Sequence, residues 1–356
     1  MNDDFVYVIG LMSGTSLDGL DLVYVKFKKN DFTFFEILLS KTVTYSKAWR
    51  IRLQNAIDLD KEGISILDRE YGSFLGKQTK EFIDQNAIKT INFICSHGHT
   101  IFHQPDKGYT LQVGDGNEIL KITNCTVVND FRTQDVQLGG QGAPLVPIGD
   151  RFLFSEFEAC VNLGGFANIS YEQKNQRIAF DICPVNIVMN YYSKILGFEY
   201  DDKGNFARTG TLHKQLFEEL NTLHFYAIPP PKSLGIEWVQ NHVFPLVEKH
   251  QISPVDVLRT FTEHAAQQIS ESIAPFKHIL FTGGGVYNNF LLKRIENISR
   301  KNITLPIDDI INYKEALIFA FLGFLKLEDQ INCLSSVTGA QKNHSSGKIF
   351  KLNNSN

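Results

Sequence analysis

The stretch FVYVIGLMSGTSLDGLDLVYVKFKKNDFTFFEILL, residues 5–39, decides how this chain is read. Phe5–Gly10 is a short apolar run that opens into a loop of Gly, Ser and Thr. Leu20–Phe27 and Phe32–Leu39 follow, both rich in the β-branched and aromatic residues that strands favour. Lys28-Lys29-Asn30-Asp31 between them has turn composition. The spacing predicts a three-strand meander whose first connection is a loop of small residues. The pattern returns near Ala159. Ala159–Asn162 reads as a strand, Leu163-Gly164-Gly165-Phe166 as a glycine loop, Ala167–Tyr171 as a second strand and Arg177–Ile182 as a third. Two such cycles predict an α/β protein of two related halves with a cleft between them.

The rest of the chain fits that frame. Helices are expected near 46–58 and 63–86, and strands at Ile91–Cys95, Tyr109–Val113 and Thr126–Asn129. In the second half, helices are expected near 185–196, 211–224 and 254–274; the last carries Leu258, Phe261, Ala265, Ile269 and Ile273 on one stripe. Phe276–Phe281 reads as a strand, and Asn288–Ile295 and Lys314–Leu327 as helices. The polar tail after Ser335 is expected to be loosely ordered.

The composition narrows the class. Of 356 residues, 43% are hydrophobic and 21% charged, which excludes wholesale disorder. With 35 Lys and Arg against 39 Asp and Glu, the net charge of −4 argues against a nucleic-acid or anionic-membrane binder. The longest apolar run, Ala316–Leu325, is too short for a bilayer span of about 20 residues. The five cysteines are odd in number and form no C-x-x-C pair, so reduced thiols and a cytoplasmic location are expected. The acidic start Met1-Asn2-Asp3-Asp4 does not resemble a secretory leader.

Six motifs could carry chemistry. The string Gly14-Thr15-Ser16-Leu17-Asp18-Gly19-Leu20-Asp21 joins two predicted strands. Its glycines and backbone N–H groups suit an anion nest, and Asp18 or Asp21 could hold hydrated Mg²⁺. A plain hairpin turn is the simpler alternative. Gly164 and Gly165 stand at the matching place in the second half, where a bulge would also explain them. Gly283, Gly284 and Gly285 follow a strand and precede a helix, a context for a nucleotide or for a tight turn. Asp181 ends a strand, either as a general base or as the cap of the next helix. His97, His99 and His103 invite a zinc reading, a polar-ligand reading and a structural one. Arg132, in DFRTQD, could clamp a carboxylate or phosphate, or pair with Asp130 or Asp135.

Taken together, GLMSGTSLDGLD, SHGHTIFHQP, LQVGDG, DFRTQDVQLGGQGAPLVP, NLGGFANIS, FTGGGVYNN and KEALIFAFL resemble the anhydro-N-acetylmuramic acid kinases of bacterial cell-wall (peptidoglycan) recycling. They occur in family order within residues 9–324. The resemblance implies two ribonuclease-H-like halves of the actin-like ATPase superfamily, enclosing ATP in an interdomain cleft. Residues 1–132 would form the N-terminal half, with the C-terminal helix as a candidate addition, and 133–356 the other.

The implied reaction hydrolyses the 1,6-anhydro ring of 1,6-anhydro-N-acetylmuramic acid and transfers the γ-phosphoryl of ATP to O6. It yields N-acetylmuramic acid 6-phosphate and ADP. By the same resemblance, Asp181 matches the family's catalytic base and Gly14–Asp21 its phosphate loop. The glycines at 164–165 and 283–285 would complete the ATP site, with Mg²⁺ beside it. Sugar contacts are expected at His97, Thr100, Arg132, Asn186 and Glu315. Family members often form dimers, so a homodimer is a further expectation. The usual D-T-G-P-G-N reads Asp181-Ile182-Cys183-Pro184-Val185-Asn186 here, Asn190 replaces a common Asp, and His99 a common Gln. A related kinase for another sugar, and a non-catalytic ATP-binding scaffold, are the competing readings. A metallohydrolase on the three histidines is the outlier.

Overall fold

The computed structural model describes residues 4–14 and 17–352. It divides into two compact units, Leu153 and Tyr313 marking the ends of the first where the chain leaves and returns, and Phe154–Asn312 forming the second. The boundary therefore falls at 153/154 rather than at the expected 132/133. Residues from Tyr313 onward, which the sequence reading assigned to the second half apart from the C-terminal helix, belong to the first unit.

Seven strands open the first unit: β1 (Phe5–Ser13), β2 (Gly19–Lys28), β3 (Asp31–Thr44), β4 (Phe93–Ser96), β5 (His99–Gln104), β6 (Tyr109–Val113) and β7 (Val127–Asn129). The second unit contributes β8 (Ala159–Leu163), β9 (Phe166–Gln173), β10 (Gln176–Pro184) and β11 (Ile279–Thr282), and β12 (Lys348–Phe350) returns to the first. The sheet orders are β12-β7-β4-β1-β2-β3 and β10-β9-β8-β11, with β5 and β6 as a separate pair. Each large sheet holds an antiparallel meander whose first strand pairs in parallel with a later one: β1 with β4, and β8 with β11. This is the duplication read from the sequence, and both units have the ribonuclease-H-like arrangement.

Burial follows residue pattern. In the first unit, Ile9, Leu11, Leu20, Leu22, Ile94 and Val127 point to one core, where Tyr71, Leu75 and Phe82 of the helix Lys61–Gln85 meet them. The other face takes Phe319, Phe321 and Phe324 of the helix Asp308–Leu327; the Phe27 and Phe324 rings stack 5.2 Å apart. Gly10 is required at this contact, because a Cβ there would collide with the Ala316 carbonyl. In the second unit the apolar stripe of the helix Pro254–Ile273 packs against Val161, Ile169 and Phe281.

The tail departs from expectation. Ser335–Thr338 forms a helical turn, Ser346 is buried, and β12 pairs antiparallel with β7. No helix among the described residues is long and apolar enough to cross a membrane.

Candidate active site

The parallel strands place the motifs on sheet edges. In the first unit β1, β3, β4 and β7 run the same way, so their carboxyl ends share one edge. That edge carries Ser13-Gly14 after β1, Tyr45 after β3, His97 after β4 and Asp130–Arg132 after β7. In the second unit β8, β10 and β11 share an orientation, and their carboxyl ends carry Gly164-Gly165, Val185-Asn186 and Gly283–Gly285. Carboxyl ends of such strands are where open α/β sheets bind ligands.

Arg132 is the best-defined side chain of the first edge. Its Nε–H donates to His97 Nε2 at 3.0 Å, and one terminal nitrogen donates to the Gly142 carbonyl at 2.6 Å. Since Nε2 accepts, the His97 proton sits on Nδ1, facing the Gly98 carbonyl at 3.0 Å. Burial and the neighbouring guanidinium hold His97 well below the ordinary histidine value. Burial also lowers Arg132, to about 10, against the pull of Glu315, Cys333 and Asp135. Arg132 thus pairs with a histidine and a carbonyl rather than with Asp130 or Asp135 as a simple salt bridge. Glu315 is accessible to solvent yet crowded by protein, which raises its carboxyl; Arg132 and Lys314 pull it down and Asp21 pushes it up. Arg132, Glu315, His97 and Asp21 therefore form one electrostatic neighbourhood.

Thr15 and Ser16 lie outside the described residues. Of the remaining string, the Leu17 N–H donates to the Gly14 carbonyl at 3.3 Å and Leu17 takes φ +59°, while Gly19, Leu20 and Asp21 already belong to β2. Leu20 is fully buried, so its side chain supports the core. Asp21 accepts from the Thr42 hydroxyl at 2.6 Å; burial raises its carboxyl and Asp18 adds repulsion.

The histidines do not converge on a metal. His99 Nδ1 lies 2.8 Å from Ser13 Oγ, which takes the Tyr45 hydroxyl at 2.7 Å, and Tyr45 contacts Tyr71 Oη at 2.5 Å. His103 Nδ1 faces Thr110 at 3.1 Å. This buried Tyr-Tyr-Ser-His chain escaped sequence reading, since nothing local links Ser13 to His99. Thr100 is half-exposed on β5 and takes a weak contact from Gln112.

In the second unit the two glycine motifs are neighbours. Gly283 has φ +84°, and a Cβ there would sit 2.6 Å from Asn162 Oδ1; at Gly285 it would meet Leu163. Gly284 faces open space, and Gly165 nearly so. The first and last glycines of the triplet serve close packing, whereas Gly284 and Gly165 leave backbone open to a ligand. The Val185 and Asn186 N–H groups donate to the carbonyls of Gly165 and Gly164 at 2.8 and 3.3 Å, tying the β10 end to this loop.

Asp181 does not cap a helix. It lies within β10 opposite Asn168, and the next helix, Asn186–Ile195, begins after Val185. Its Oδ2 accepts the Leu234 N–H at 2.8 Å, while its own N–H donates to the Lys232 carbonyl at 3.1 Å. Burial raises its carboxyl above the ordinary aspartate value, partly offset by Leu234. The segment 232–234 that orients Asp181 carried no sequence signal. The replaced positions Ile182, Cys183 and Val185 are all buried in the core. A cavity of about 350 Å³, lined by Phe180, Ile182, Tyr226, Lys232 and Gln268, does not include Asp181 and lies apart from the glycine edge.

A family profile described as anhydro-N-acetylmuramic acid kinase matches residues 6–352. Proteins named anhydro-N-acetylmuramic acid kinase are similar over nearly their whole length. The one from Francisella tularensis subsp. novicida is 33% identical, across 97% of this chain and 99% of its own. That from Haemophilus influenzae is 33% identical, across 97% of each. That from Sulfurimonas denitrificans is 30% identical, across 97% and 99%. Matched by that profile and by these relatives over nearly its full length, this chain belongs to the anhydro-N-acetylmuramic acid kinase family.

Proposed function

We propose that the chain is an ATP-dependent kinase that hydrolyses the 1,6-anhydro ring of 1,6-anhydro-N-acetylmuramic acid and phosphorylates O6, acting in the cytoplasm in peptidoglycan recycling. The observation that carries this is the family match from residue 6 to 352, which spans all seven strings that carry the resemblance. Asp181 is the base in this reading. Its Leu234 hydrogen bond occupies Oδ2, so Oδ1 is the atom that takes the proton of the attacking water. Desolvation strengthens a carboxylate as a base, because its charged form is less well solvated. Water attack at C1 breaks the C1–O6 bond, and O6 becomes the acceptor of the γ-phosphoryl group.

Arg132 and Glu315 orient the sugar. A guanidinium fixed at two points by His97 and Gly142 is pre-organised for an anionic group such as the lactyl carboxylate. His97, its two ring nitrogens taken by Arg132 and the Gly98 carbonyl, acts by holding Arg132, while Thr100 in the first unit and Asn186 in the second are each offered as polar contacts. The open backbone at Gly165 and Gly284 offers the second unit's nucleotide-binding surface, which needs few basic side chains, and Gly14 lies on the corresponding strand edge of the first unit. Asp18 and Asp21 fit Mg²⁺: both are hard oxygen donors, and their mutual repulsion favours a cation beside them. Bound there, the ion offsets charge on the phosphates. Incubation of the purified protein with ATP, Mg²⁺ and the anhydro sugar is expected to give the 6-phosphorylated sugar and ADP. ADP without a phosphorylated sugar, or no turnover at all, refutes the reading.

A further inference from the structure

The first unit contains a buried group of side chains that the kinase reaction does not use. Cys333 and His344 face one another in an isolated antiparallel bridge, their backbones exchanging N–H···O bonds of 3.1 and 3.2 Å. Asp135, in the short helix Thr133–Gln137, meets them both. Its Oδ1 lies 3.0 Å from Cys333 Sγ and 3.6 Å from His344 Nε2. A carboxylate oxygen, Sγ and Nε2 all lie within 4.8 Å of one another. Asp135 is 0% exposed, Cys333 1% and His344 5%.

The hydrogen bonding of His344 points to what is missing. Its Nδ1 lies 3.1 Å from the Lys342 carbonyl, so Nδ1 carries the proton. In the neutral ring, Nε2 is then a bare lone pair, and this buried atom has no hydrogen-bond partner. It is aimed at a carboxylate oxygen, another acceptor. At 3.6 Å the two atoms are too far apart for a hydrogen bond, so the buried Nε2 has no partner that the protein supplies, and a cation between them would satisfy both. A backbone carbonyl on the far nitrogen is the usual orientation of a metal-binding imidazole.

We propose that Asp135, Cys333 and His344 bind a zinc ion. Tetrahedral zinc with bonds of about 2.0–2.3 Å places its ligand atoms roughly 3.3–3.7 Å apart, so a small opening of the Asp135–Cys333 contact accommodates it. On binding, Cys333 gives its thiol proton to solvent, and His344 Nε2 and Asp135 donate lone pairs. The charges of zinc, thiolate and carboxylate then sum to zero, which suits a buried site. Burial and the Asp135 carboxylate raise the Cys333 thiol, with Thr338 and Arg132 pulling the other way, so it is the ion that draws off the proton. A water fills the fourth position, as where a protein supplies three ligands. The Thr338 hydroxyl at 2.8 Å and the Gly142 N–H at 2.7 Å fix the carboxylate from outside the ligand set. The ion would pin the segment from Cys333 to His344 onto the helix that follows Arg132.

The test is metal analysis of the full-length protein from zinc-supplemented cells, with a parallel preparation from cobalt-supplemented cells. The expected result is about one zinc per chain and, with cobalt, a near-ultraviolet thiolate-to-cobalt charge-transfer band. Cys333→Ser should abolish the band and His344→Gln should weaken cobalt retention at least tenfold, whereas Cys125→Ser should change neither. Absence of both bound metal and the band in the wild-type protein overturns the proposal, whatever the variants do. So does a band that survives in Cys333→Ser.

Discussion

Substitution of Asp181 by asparagine separates chemistry from folding. The Leu234 N–H that donates to Asp181 at 2.8 Å needs only an oxygen, which the amide keeps. Burial raises the carboxyl of Asp181, so the fold already disfavours its charge, and removing that charge should not weaken the second unit. Asp181→Asn is thus expected to melt at or above the wild-type temperature. Its turnover should fall by a factor of about 10²–10⁴, the usual value of a positioned base, or roughly 3–5 kcal/mol of barrier. Asp181→Ala removes the acceptor as well and leaves the Leu234 N–H unpaired. That should cost about 1–3 kcal/mol of stability, at roughly 2–4 °C per kcal/mol for a unit of this size. The assays are coupled ADP release, product analysis and thermal melts of all three proteins. Turnover of Asp181→Asn within tenfold of wild type refutes the base assignment. An Asn variant that melts as low as the Ala variant refutes the account of how Asp181 is held. The acid limb of the wild-type pH–rate profile should also lie above that of an ordinary aspartate, since activity needs the ionised form of a group whose pKa is raised.

Other expectations follow from single observations. Arg132→Lys loses the two-point hold on His97 and Gly142 and should raise KM for the sugar about tenfold or more with little change for ATP, read from steady-state kinetics. Gly284→Ala should leave the melting temperature unchanged but raise KM for ATP, while Gly283→Ala, at positive φ and against Asn162, should destabilise by about 1–3 kcal/mol. Lys314→Met removes the ammonium that lies 2.7 Å from the buried Asp150 carboxylate and should cost about 3–5 kcal/mol in chemical denaturation, largely recovered by adding Asp150→Asn. Burial holds His99 at about 4 and His264 at about 3, with His97 also well below its ordinary value. These rings stay neutral in the fold but protonate in the unfolded chain below about pH 6.5, so stability is complete above that value and lost as pH falls. At one pH unit lower the loss approaches 1.4 kcal/mol for each ring, measurable as a falling melting temperature between pH 7 and 5.

Where strand identity depended on local composition, the sequence was readable. The run from Phe5 to Leu39 and its counterpart from Ala159 to Ile182 alternate and break as meanders must, and both appear as such. Three-residue β12 could not be seen, because Lys348–Phe350 becomes a strand only by pairing with β7 and seating Phe350 over Gly116, where no Cβ would fit. The same applies to Asp135. Its partners Cys333 and Thr338 lie 198 and 203 residues away in sequence. Asp181 shows the intermediate case: its importance was legible from the motif, but its role within the strand was settled by Lys232 and Leu234, which no short-range pattern ties to it. The glycine triplet was legible as a turn, while the division of labour between Gly283 and Gly284 depended on what each backbone faces.

The interruption of the first unit by the second has a consequence for synthesis. Phe154–Asn312 is one uninterrupted segment, and everything its core needs has been made once Asn312 has been added. The first unit begins earlier and finishes later, because the β7 edge waits for β12 and one sheet face waits for Phe319, Phe321 and Phe324. On the ribosome the later-starting unit is therefore the first able to fold, against the usual amino-terminal-first order. A nascent chain stalled once Asn312 has cleared the ribosome holds a finished second unit while the sheet of the first is still open, and that is the stage at which a chaperone has most to protect.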